Sequence, residues 1–145
     1  MLLIFWDIRE IPRFKEKIAT KLEAIEYNTR KFFNNSLKVK IIFTDSSIIR
    51  QLNKTYRKLD KETDVLTFAE LDTNKKLLKE KNSLGEIYVN YDWIKKDIKH
   101  KNPDFRLVSA LFIHGYLHLL GYDHEKDRGE MEKIENILRR KFCLV

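Results

Sequence analysis

Apolar positions along the chain switch between two spacings, and the switches mark out the elements. Leu2-Leu3-Ile4-Phe5-Trp6 is an unbroken apolar run that reads as a buried strand. Pro12 suits a first helical turn, and Phe14, Ile18, Leu22 and Ile25 then recur at helical spacing towards Asn34 and Asn35. Val39, Ile41 and Phe43 alternate with Lys40, Ile42 and Thr44, the pattern of a strand with a buried face. Asp45 or Ser46 offers a cap for the next helix, whose apolar side carries Ile48, Ile49, Leu52 and Tyr56. The polar stretch from Lys58 to Thr63 reads as a loop, and Val65-Leu66-Thr67-Phe68-Ala69 as a third strand. Residues 72–83, rich in Lys and Asn, read as a solvated connection to a fourth short strand at Ile87-Tyr88-Val89. Helical spacing returns from Tyr91 to near Lys99. Asn102, Pro103 and Asp104 then offer a new helix start. Leu107, Ala110, Leu111, Ile113, Leu117 and Leu120 make that helix strongly apolar, and Gly121 stops it. A last amphipathic helix runs from near Asp127 to Phe142. With no repeat, low-complexity tract or linker, residues 1–145 are expected to form a single α+β domain.

Composition narrows the setting. Cys143 is the only cysteine, so no intrachain disulfide can form, which suits a reducing, cytoplasmic location. No apolar run approaches the roughly 20 residues that span a bilayer. The stretch from Leu2 to Trp6 is too short for a signal-peptide core and meets charge at Asp7 and Arg9. The net charge of +7 is unevenly spread, for residues 1–60 hold 13 basic and 7 acidic side chains. A polyanionic partner would therefore meet mainly this half of the chain.

Three of the 4 histidines crowd into 11 residues, His114-Gly-Tyr-Leu-His118-Leu-Leu-Gly-Tyr-Asp-His124. The i, i+4 spacing of His114 and His118 puts both rings on one helix face. A reversal at Gly121 can return His124 to the same place. Three neutral imidazoles with a vacant fourth position make a catalytic zinc arrangement, able to lower the pKa of water to about 7. Buried imidazoles without a metal would need other partners, at a cost of several kcal/mol each if unpaired. His100 lies apart and reads as a surface cation near a helix end. Asp123 reads either as an orienting partner for an imidazole or as a turn residue.

The spacing His-x3-His-x2-Gly-x2-His is also that of metzincin proteases, but those place a glutamate base directly after the first histidine. Here that position is Gly115, which transfers no proton. The segment from His114 to His124 instead resembles the signature of the YbeY family, bacterial endoribonucleases linked to rRNA maturation. Leu52-Asn53-Lys54-Thr55-Tyr56-Arg57 and Thr63-Asp64-Val65-Leu66-Thr67-Phe68 agree with it, as does Leu84-Gly85-Glu86-Ile87, where the family has aspartate in place of Glu86. The likeness runs in order over roughly residues 40–140.

The resemblance implies a metal-dependent, single-strand-specific endoribonuclease that matures the 3′ end of 16S rRNA and serves ribosome quality control. It implies one Zn2+ per chain on His114, His118 and His124, no organic cofactor, and Arg57 as the functional arginine facing the metal. It implies rRNA and the small ribosomal subunit as partners, with ribosomal proteins as further candidates and no membrane. The fold it implies is a mixed four-stranded sheet packed with about five helices, one a zincin-like metal helix, the metal lying in a cleft between sheet and helices. Read from the residues alone, Arg57 has salt bridges to Asp60 or Asp64 as an alternative, and Asp64 reads as a loop cap. Two other functions stay in view: a zincin-type metallopeptidase, and a non-catalytic ribosome-assembly factor with structural zinc, for which Cys143 is a candidate fourth ligand.

Overall fold

In the computed structural model, which describes residues 1–70, 82–98 and 105–142, the elements follow in the order β1 (Leu2–Trp6), α1 (Lys15–Phe32), β2 (Lys38–Thr44), α2 (Ser46–Arg57), β3 (Val65–Ala69), β4 (Ser83–Asn90), α3 (Tyr91–Ile98), α4 (Arg106–Leu119) and α5 (Glu130–Phe142). The four strands form one sheet in the order β1-β2-β4-β3. β1, β2 and β4 run parallel, and β3 runs antiparallel to β4, so the sheet is mixed and β3 forms an edge. Among the described residues the expected α+β architecture, a mixed four-stranded sheet with about five helices, is the one observed.

Alternation along the strands decides which face is covered. Val39, Ile41 and Phe43 of β2 stand beside Ile87 and Val89 of β4, all with no exposed surface. Trp6 stacks on Phe43 at 4.3 Å between ring centroids, which extends this inner face to β1. β1 itself is an edge strand and only half-buried, with Phe5 48% exposed, so the expectation of a buried strand is corrected. β4 is longer than its apolar triplet because β2 and β3 pair with it on both sides.

Helices α1 and α4 pack on the inner face, and α5 packs against α4. Val108, Leu111, Phe112, Ile113, Tyr116, Leu117 and Leu119 are all buried, because α4 is surrounded by the sheet and two helices. Gly115 lets α4 come close: a Cβ there would sit 2.9 Å from Ile87 Cγ2. α2 begins at Asp45, whose Oδ1 accepts from the Ile48 N–H at 2.9 Å, the cap expected from the sequence. Tyr56, expected on the apolar side of α2, is 61% exposed in its last turn. α5 starts three residues later than the polar-apolar pattern implies, because the Asp127 carboxylate caps it, accepting from the N–H groups of Gly129 and Met131. The connection at 72–83 falls almost wholly outside the described residues, as do His100, the Asn102-Pro103-Asp104 helix start and Cys143. Among the described residues no helix is long and apolar enough to cross a membrane.

Candidate metal centre

His114 and His118 stand one turn apart on α4. Gly121 ends the helix at φ +101°, a backbone conformation that glycine takes without strain. Its N–H donates to His118 O and the Tyr122 N–H to Leu117 O, both at 3.0 Å. These two bonds form a Schellman motif and turn the chain back along the helix. Asp123 then makes a second tight turn: its Oδ1 accepts from the Glu125 N–H at 2.9 Å, and its carbonyl from Lys126 and Asp127. Of the two roles open to Asp123, this is the turn role. His124 is thereby laid beside the other two rings. Ring centroids are 4.6 Å apart for His114 and His118, and 5.4 Å from each to His124. One ligand atom from each residue falls within 4.8 Å of the others.

Hydrogen bonding settles how the two helix imidazoles are used. His118 Nδ1 lies 2.9 Å from the carbonyl of Tyr122, which only accepts, so Nδ1 carries the proton. His114 Nδ1 lies 2.7 Å from Glu135 Oε1 on α5, and donates to that carboxylate. Both Nε2 lone pairs therefore point into the same space, 3.0 Å apart. At that separation the two nitrogens attract only with a proton or a metal cation between them. Burial pushes the His118 pKa down, and the neighbouring His114 ring pushes it further, which favours the neutral imidazole that metal binding requires. The donor set therefore fits a divalent cation that takes nitrogen ligands. Glu135 is the residue that sequence reasoning missed. It is one of three glutamates on α5, with Glu130 and Glu132, and nothing in their spacing singles it out.

The three histidines open into a cavity of about 370 Å3 that runs along the edge of β3, lined also by Arg57, Asp64 and Thr67. Arg57 Nη2 donates to the Thr67 carbonyl at 2.6 Å, bringing the guanidinium over the strand edge to the cavity wall. Neither carboxylate offered as its salt-bridge partner holds it. Asp60 pairs with Arg50 at 2.8 Å and with Lys54 at 4.0 Å. Asp64 Oδ1 accepts from the Val65 N–H and the Thr63 hydroxyl, the role of a loop cap. Glu86 lies on the other face of the sheet, where its carboxylate accepts from the Tyr88 hydroxyl at 3.1 Å.

The model of the endoribonuclease YbeY family matches residues 7–142. An endoribonuclease YbeY from Acholeplasma laidlawii is 34% identical over 127 residues, covering 87% of this chain and 88% of its own. One from Aliarcobacter butzleri is 42% identical over 132 residues, covering 87% and 89%. The solution structure of TM1509 from Thermotoga maritima is similar, with a TM-score of 0.59 and 27% identity, over 98% of this chain and 89% of that one. The match spans the strand edge, the arginine and all three histidines in one stretch, and this chain belongs to the YbeY endoribonuclease family.

Proposed function

We propose that the protein is a metal-dependent endoribonuclease that cuts single-stranded RNA, with His114, His118 and His124 holding one Zn2+ per chain and Arg57 facing the scissile phosphate. Its substrate in this reading is rRNA of the small ribosomal subunit, at the 3′ end of 16S rRNA and in ribosome quality control. It works in the cytoplasm, where ribosomal proteins are further partners, and residues 1–145 act as one unit. The observation that carries the reading is the sharing of one cavity by three imidazoles and a guanidinium in a chain of an endoribonuclease family.

Zinc bound to three imidazoles supplies Lewis acidity towards water and phosphoryl oxygen at neutral pH. The chain's own residues do the rest. Glu135 and the Tyr122 carbonyl fix the two helix imidazoles by their Nδ1 protons, so that each Nε2 stays a lone-pair donor. Arg57 is anchored through Nη2 to Thr67 O and packs against the Phe68 ring; among the described residues its guanidinium makes no second hydrogen bond. That leaves donors for the non-bridging oxygens of a phosphate, and for the charge that grows on them during attack. The surplus of basic residues in the first half of the chain supports binding through the RNA backbone.

A peptidase is disfavoured at Gly115, where a side chain would run into Ile87 and no carboxylate is present to act as base. A purely structural metal is disfavoured by the open cavity beside the rings. The test is cleavage of a single-stranded oligoribonucleotide by zinc-loaded protein, with casein as the competing substrate. RNA should be cut and casein spared, and Arg57→Glu should lose cleavage while keeping its zinc. Cleavage of casein alone, or full RNA cleavage by Arg57→Glu, would overturn the reading.

A further inference from the structure

The last turn of α2 carries two neighbouring side chains that face different surfaces. Arg57 lines the histidine cavity. Tyr56 stands outside it and is 61% exposed. Its ring meets Phe68 edge-on, with centroids 5.3 Å apart and planes at 73°. Phe68 in turn meets Tyr88 edge-on at 5.7 Å. Phe68 and Tyr88 alternate with Thr67 and Ile87, so they lie on the face of the sheet opposite α4. The Arg57 guanidinium carbon is 5.0 Å from the Phe68 centroid, while Nη2 reaches Thr67 O on the strand edge. Arg57 thus joins the cavity to a row of three aromatic rings around the edge of β3.

An exposed ring beside a cation that lines the histidine cavity matches the chemistry of an unpaired nucleic-acid strand. Such strands stack bases on aromatic side chains while cations track the backbone. Charge decides which part goes where. At the far end of the row, Glu86 accepts from the Tyr88 hydroxyl. Burial, then Glu86, and more weakly Tyr56 and Asp7, push the Tyr88 phenol up to about 12, and the Glu86 carboxylate puts negative charge at this end. Phosphate is repelled there, and an uncharged base is not. The cationic end is Arg57, next to the histidines.

We infer that Tyr56 and Phe68 form a stacking subsite for one unpaired base of an RNA strand whose adjacent phosphate lies against Arg57. The subsite rests on the RNA-cleaving reading above and adds where the flanking nucleotide is held. A base inside a duplex is already stacked on its neighbours and does not reach the Tyr56 ring, so the subsite selects single strands.

The test is steady-state cleavage of a single-stranded oligoribonucleotide by the zinc-loaded full chain, with thermal unfolding as the check on folding. Tyr56→Ala should raise KM about tenfold, the scale of one lost base–aromatic stack. Tyr56→Trp and Tyr56→Phe should stay near the native KM, because the ring and not the hydroxyl is used. On a substrate with an abasic position beside the cut site, the native protein and Tyr56→Ala should have equal KM. A native KM for folded Tyr56→Ala, or a loss in Tyr56→Phe as large as in Tyr56→Ala, overturns the subsite while leaving RNA cleavage intact. Absence of RNA cleavage by the native protein overturns the functional reading itself, and the subsite with it.

Discussion

Glu135 on α5 and His114 on α4 are joined by a 2.7 Å hydrogen bond from ring Nδ1 to carboxylate Oε1. The bond holds the ring of the first histidine and ties α4 to α5, the last helix of the fold. Removing it frees the ring to rotate and weakens its nitrogen as a donor. Glu135→Ala should lower zinc affinity about tenfold to a hundredfold, as read by competition with a chromogenic chelator. Unchanged affinity would make the contact a packing detail.

Gly115 sits between the two helix histidines, where α4 rests on Ile87 of β4. An added methyl group must push helix and strand apart, since Ile87 Cγ2 lies 2.9 Å from its position. Gly115→Ala should cost about 1–3 kcal/mol in urea unfolding. Native stability would mean that the α4–β4 contact yields more readily than its geometry implies.

Arg57 holds Thr67 O with Nη2, packs against Phe68 and lines the cavity. A lysine at this position offers a single point charge and no fork. Arg57→Lys should lower kcat on single-stranded RNA about a hundredfold with zinc content unchanged. Equal loss of zinc would show that Arg57 supports the metal site and not the phosphate.

Asp92 Oδ2 accepts from the Ser46 N–H at 2.9 Å, linking α3 to the start of α2. That bond, with help from Lys95, holds the carboxyl below its ordinary 3.8. Because the folded value is the lower one, the stabilisation is fully present above 3.8 and is lost as pH falls through the folded value. Asp92→Asn keeps an acceptor without the charge. The stability gap between native protein and variant should be open at neutral pH and close on acidification below the ordinary carboxyl range. A gap that does not change with pH would assign the effect to packing.

Much of this was legible because local pattern and local chemistry coincide. The alternation of β2, the Asp45 cap, the i, i+4 histidines and the glycine stop all act within a few residues of chain. What the sequence hid depends on distant partners. The order β1-β2-β4-β3 comes from pairing across long connections, which periodicity does not encode. Glu135 reaches His114 only because α5 packs back on α4. Tyr56 follows the apolar spacing of α2, yet it falls in the last turn, where the ring meets Phe68 edge-on and stays exposed.

X-ray absorption at the zinc edge, on protein loaded with one zinc per chain, reads the site directly. Three imidazole nitrogens and one solvent oxygen at about 2.0–2.1 Å are expected, with no zinc retained once His114 and His118 are both alanine. A sulfur ligand, fewer than three imidazoles, or a coordination shell closed entirely by side chains would contradict a hydrolytic metal centre on His114, His118 and His124.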